Sequence, residues 1–210
     1  MDWSLYVVTD AGLARGRSHL EIVGAAIAGG VTVVQYREKE ATTRRMVEEA
    51  QGLRELCREV RVPFIVNDRL DVALAVDADG VHVGQDDMPA LLARKLIGPG
   101  RILGVSVSTV EEALQAEQAG ADYISASPVF STPTKPDAPQ PTGVEGLRAI
   151  VRAVGRPVVA IGGIKAHSAA QLIHAGAAGV AVVSAIVAAE DVEAAARELR
   201  AAVEAARKGD

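Results

Sequence analysis

The feature that most constrains this chain is an eightfold alternation. Short runs rich in β-branched residues, most of them apolar on both faces, are each followed by a longer stretch with helical spacing. Strands apolar on both faces must be covered on both sides, which parallel strands joined by crossover helices achieve. The spacing predicts strands near residues 5–8, 32–35, 64–66, 80–83, 102–105, 122–126, 158–160 and 179–182. It predicts helices starting near Ser18, Thr42, Asp68, Pro89, Thr109, Gly143, Ala166 and Asp191, several of which supply capping or first-turn chemistry. Thr109-Val110-Glu111-Glu112 reads as a capping box. Ala28-Gly29-Gly30, Ala119-Gly120-Ala121 and Ala175-Gly176-Ala177 read as left-handed helix ends that turn the chain back into a strand. Eight units of roughly 26 residues fit a minimal single (β/α)₈ TIM barrel, one α/β domain over residues 1–210. A doubly wound open sheet uses fewer strands and longer helices.

Composition narrows the partners. A formal charge of −5 disfavours nucleic acid and anionic membranes, so an anionic substrate requires a local basic site. Cys57 is the single cysteine and falls in a helical pattern, as a packed core thiol does, so no internal disulfide forms. Met1-Asp2-Trp3-Ser4 leads straight into a strand without a signal-like region, and no apolar run is long enough to span a bilayer. A cytoplasmic enzyme is expected, and its assembly into a homo-oligomer is left open.

In a TIM barrel the active site lies where strands end. The second strand ends in Gln35-Tyr36-Arg37-Glu38-Lys39, and alternation sends Gln35, Arg37 and Lys39 to one side and Tyr36 and Glu38 to the other. A guanidinium fork beside an ammonium suits phosphate oxygens, although the segment also reads as a solvated charge run. The third and fourth strands end in Asn67-Asp68 and in Gly84-Gln85-Asp86-Asp87. Carboxylates on adjacent strand ends suit Mg²⁺, which takes few protein ligands and leaves room for substrate phosphate. Asp68 fits equally as an N-cap, and Asp86 as a solvent-facing residue. His82, between Val81 and Val83, fits a satisfied core histidine better than a ligand or acid–base group, and His19, His167 and His174 read as superficial. Ser106 ends the fifth strand. The long polar segment 127–143 has the length of a lid or of a plain connection. Ile161-Gly162-Gly163-Ile164 and Val183-Ser184-Ala185-Ile186 follow the last two strands, where TIM barrels commonly bind phosphate.

Taken in order and spacing, these strings, with Thr132-Pro133-Thr134-Lys135, resemble the thiamine phosphate synthase family over nearly the whole chain. That family joins a hydroxymethylpyrimidine diphosphate to a thiazole phosphate, carboxylated or not, and releases diphosphate. The resemblance implies that Gln35, Tyr36, Arg37, Glu38, Lys39, Asn67, Ser106 and Lys135 bind the pyrimidine diphosphate, with Arg37, Lys39, Ser106 and Lys135 catalytic. It implies one Mg²⁺ per site on Asp68 and Asp87, and a thiazole phosphate held by Thr132, Pro133, Thr134, Gly163, Val183 and Ser184. The implied path is dissociative and carbocation-like, so no protein nucleophile is required. Ser125 and Ser127 stand where the family commonly has glycine. A related thiazole tautomerase and a non-catalytic phosphate-binding barrel are the alternative readings; every position of the phosphate and metal clamp is filled here.

Overall fold

The computed structural model describes residues 1–132 and 140–209. Eight parallel strands close into a barrel: β1 (Leu5–Val8), β2 (Val33–Tyr36), β3 (Phe64–Asn67), β4 (Gly80–Val83), β5 (Ile102–Val107), β6 (Tyr123–Ala126), β7 (Val158–Ile161) and β8 (Gly179–Val182). β1 pairs with both β2 and β8, so no edge remains open. Around it, in chain order, run α1 (His19–Ala28), α2 (Thr43–Glu59), α3 (Leu70–Ala75), α4 (Ala90–Ile97), α5 (Val110–Gln118), α6 (Gly143–Ala153), α7 (Ala166–His174), a single turn α8 (Ser184–Val187) and α9 (Val192–Lys208). No helix among the described residues is long and apolar enough to cross a membrane.

Strand alternation divides the core in two. Leu5 and Val7 face the helix layer, together with most of the buried aliphatic residues. Trp3, Tyr6, Val8, Val33, Ile65, Tyr123, Val159 and Ala181 fill the bore. Trp3 plugs its lower end, with its ring centroid 4.4 Å from that of Tyr123. Gly104 makes room for this filling: a Cβ there would collide with the Tyr123 ring.

Several boundaries differ from the expected ones. β2 lies one residue later, because Thr32 is spent at the strand's foot, where its Oγ1 accepts from Leu5 N at 3.1 Å and donates to Leu5 O at 3.0 Å. α3 begins at Leu70, not Asp68; Asp68 has φ of 60° and therefore stands outside the helix. α8 is the short helix that a TIM-barrel phosphate site offers after its last strand, although no helical spacing marks its start in the sequence. Thr109 Oγ1 accepts from Glu112 N at 3.1 Å, but the Glu112 carboxylate accepts from Ser108 N rather than Thr109 N, leaving half a capping box. The complete box forms instead between Ser18 and Glu21. Gly30, Gly120 and Gly176 take the left-handed conformation expected of them. His167 and His174 are exposed. His19 is not superficial: it is buried, edge-on to Tyr36 and 3.2 Å from Glu49. Cys57 is fully buried in the helix–strand core, and burial pushes its thiol up to about 12.

Candidate active site

A cavity of about 570 Å³ opens at the C-terminal ends of the strands. Gln35, Arg37, Lys39, Asn67, Asp68, Asp87, Ser106, Thr132, Gly163, Val183 and Ser184 all line it. Pro133, Thr134 and Lys135 lie outside the described residues. Tyr36 and Glu38 do not reach the cavity, although both had been expected to bind substrate. The strand's alternation turns Tyr36 into the helix layer, where its hydroxyl donates to Glu49 Oε2 at 2.9 Å. Glu38 Oε1 accepts from the backbone of Glu40 and Ala41, folding its carboxylate back on its own loop.

The cations are held by neighbours. Arg37 Nη1 lies 2.7 Å from Asp10 Oδ2, and the Arg37 backbone is pinned by Thr9, whose Oγ1 accepts from Arg37 N at 2.9 Å. Thr9 and Asp10 directly follow β1, and the sequence reading passed over them; the same inspection of polar residues after each strand would have found them. Lys39 Nζ sits 2.6 Å from Asp68 Oδ2. The Asp68 backbone, anchored by its N–H donating to His82 O at 2.8 Å, carries the carboxyl to the mouth.

Burial raises the Asp68 carboxyl above the ordinary range, and the nearby Asp87 carboxyl pushes it further, against the pull of Lys39. Asp87 is fixed by Gly84, whose N–H donates to Oδ2 at 2.8 Å. Two oxygen-donor groups this close, in a partly dry site, are the donor set that a hard divalent cation relieves, so the pair fits Mg²⁺. Asp86 is exposed at the rim. Among the described residues, His19, Glu38 and Glu49 also bring one ligating atom each within 4.8 Å of one another. Glu49 there is already satisfied by Tyr36 and by Arg45, whose Nε is 2.8 Å away, and the group sits behind β2, not in the mouth.

Below the clamp, a chain of hydrogen bonds crosses the bore. Gln35 Nε2 donates to Tyr6 OH at 2.8 Å, and Tyr6 OH meets Tyr123 OH at 2.8 Å. His82 joins Tyr123 OH through Nδ1 at 2.7 Å and Ser106 Oγ through Nε2 at 2.9 Å. Burial lowers the imidazole to about 4, so His82 is neutral at pH 7. It is both a satisfied core residue and part of the cavity wall, two readings that the sequence set against each other.

Gly162 and Gly163 have φ of 103° and 65°. A Cβ on Gly162 would come 2.5 Å from Pro128 Cβ, and one on Gly163 would come 2.6 Å from Ser131 O. The glycines therefore let the segment after β6 lie on the segment after β7, a packing reason beside any approach to phosphate. Ser125 and Ser127 also line the cavity, at positions where glycine would leave more space.

A family model described as thiamine monophosphate synthase matches residues 5–186. The thiamine-phosphate synthase of Chloroflexus aurantiacus is 65% identical over 203 residues, covering 97% of this chain and 94% of the relative. That of Moorella thermoacetica is 56% identical, covering 98% of each. The solved structure of thiamine phosphate pyrophosphorylase from Pyrococcus furiosus superposes with a TM-score of 0.91 at 49% identity, covering 98% of this chain and 97% of that one.

Proposed function

The chain belongs to the thiamine monophosphate synthase family and is an enzyme of the thiamine-phosphate synthase type; from that premise we propose that it joins a hydroxymethylpyrimidine diphosphate to a thiazole phosphate in the cytoplasm. The exocyclic carbon of the pyrimidine loses its bond to the diphosphate oxygen and gains one to the thiazole nitrogen. The observation that carries the reading is the meeting of Arg37, Lys39, Asp68 and Asp87 at one cavity of about 570 Å³, a size suited to small organic ligands.

Arg37 is held by Asp10 in a fixed orientation, which suits paired donation to phosphate oxygens. Lys39, held by Asp68, adds a point charge in the same cavity, and Lys135 belongs to the same anion-binding set. These cations stabilise charge that grows as diphosphate departs, more strongly in a site that excludes water. Asp68 and Asp87 would hold one Mg²⁺ per site, which would supply further positive charge to the leaving group. Gln35 spends its amide N–H on Tyr6 and keeps Oε1 as an acceptor for the pyrimidine's amino group. The polar groups of the bore beneath are neutral and hydrogen-bonded to one another, so they offer an electron-deficient pyrimidinylmethyl carbon no charged nucleophile. Ser106, fixed by His82, borders the reacting carbon. Thr132, Thr134, Gly163, Val183 and Ser184 take the thiazole phosphate, with Ser125 and Ser127 narrowing its pocket.

Purified protein mixed with both phosphorylated heterocycles and Mg²⁺ is expected to form thiamine phosphate and diphosphate in equal amounts. No thiamine phosphate above a protein-free blank overturns the reading.

A further inference from the structure

A second cavity, of about 620 Å³, opens at the opposite end of the barrel, where β3, β4 and β5 begin. Arg54 and Arg58 from the end of α2, Arg61 from the turn into β3 and Arg101 from the turn into β5 all line it. Asp77 and Asp79 are the carboxylates among its lining residues. Four guanidinium groups against two carboxylates is a local excess of positive charge in a chain whose net charge is −5.

The two acids are already committed. Asp79 Oδ2 accepts from Phe64 N at 2.8 Å, and its Oδ1 lies 3.3 Å from Arg54. Asp77 holds Arg101 at 2.7 Å, and its carbonyl accepts from Arg54 Nε at 2.8 Å. These contacts fix two guanidiniums in place without using all their donors; Arg101 Nε is buried with no acceptor. Arg58 and Arg61 are exposed and make no side-chain hydrogen bond or ion pair among the described residues. Like charges gathered this way repel one another unless an anion lies between them, and guanidinium forks match phosphate oxygens.

We propose that this basal cavity binds a small diphosphate-bearing anion. The cavity is larger than a free diphosphate needs, so an organic group attached to the diphosphate also fits. This site is distinct from the catalytic mouth, and its occupancy does not depend on the reaction proposed above.

Calorimetric titration of the full chain at fixed ionic strength, with chelator present, tests it using inorganic diphosphate and adenosine diphosphate as separate probes. In the mouth variant Arg37→Gln/Lys39→Gln, one equivalent of at least one probe is expected to bind still. Adding Arg58→Gln/Arg61→Gln is expected to weaken that binding by about tenfold or more, and Arg58→Lys/Arg61→Lys by less, because charge remains but the forks are lost. Tighter binding of adenosine diphosphate identifies an organic diphosphate as the ligand class, and tighter or equal binding of inorganic diphosphate identifies the free anion. If the mouth variant binds neither probe, or if removing Arg58 and Arg61 leaves its binding unchanged, the proposal fails.

Discussion

Asp10 Oδ2 lies 2.7 Å from Arg37 Nη1, a charge-assisted contact between the ends of adjacent strands β1 and β2. Both side chains are largely buried, at 17% and 22% exposure, so the pair orients the guanidinium instead of merely decorating the surface. Asp10→Ala is expected to lower kcat/KM by about 10- to 100-fold, the range that small misplacements of a positioning contact produce. The loss should appear against the pyrimidine diphosphate and spare KM for the thiazole phosphate. Steady-state kinetics with each substrate varied in turn checks this, and equal losses for both substrates would refute the positioning role.

Asp87 accepts from Gly84 N and presses on Asp68, so its removal has two separable effects. Loss of the carboxylate that accepts from the part-buried Gly84 N–H is expected to cost about 1 kcal/mol of stability. On the proposed role of Asp87 as a Mg²⁺ ligand, its loss is expected to cut turnover roughly 100-fold at limiting Mg²⁺. Turnover of Asp87→Ala measured across a Mg²⁺ series separates the two; an unchanged Mg²⁺ dependence removes Asp87 from the metal site.

The barrel was legible because its strands carry a local signature: residues buried on both faces are mostly apolar, and β8 shows this within four positions. Gln35, Arg37 and Lys39 were legible as a group because alternation is also local, and it correctly separated them from Tyr36 and Glu38 even though the family resemblance drew all five into the site. What was not legible depends on distant partners. Tyr6 and Tyr123 are 117 residues apart, and nothing near either one announces their shared hydrogen bond. His19 looks superficial in its helix and becomes buried only when Tyr36 and Glu49 pack against it. Asp68 resembled an N-cap because its identity suits one; its positive φ, anchored by His82 O, is a tertiary effect.

Gly162 couples two mouth segments, since any side chain there meets Pro128 and the φ of 103° disfavours one in any case. Gly162→Ala is expected to destabilise the protein by about 2 kcal/mol or more. Because Gly163 moves with it, KM for the thiazole phosphate should rise as well. Denaturant unfolding and kinetics at a temperature where the variant stays folded check both effects, and wild-type values for both would show that the segments are not coupled there.

His82 makes stability depend on pH in a direction that can be worked out. Its folded-state value is about 4 against an ordinary 6.5, so between these pH values the unfolded chain binds a proton that the folded chain does not. The stability it contributes is therefore complete above pH 6.5 and is lost as pH falls towards 4. The gap is worth about 3 kcal/mol. Asp87 faces the imidazole and opposes the shift, while the raised Asp68 carboxyl acts with the opposite sign at the lower edge of the same window. The contribution is therefore isolated by difference. Unfolding free energies of the wild type and His82→Gln are expected to converge as pH falls from 7 to 4, because the variant lacks the titrating group. Parallel profiles across that interval would mean that His82 takes up its proton alike in the folded and unfolded states, and that burial does not hold the imidazole neutral.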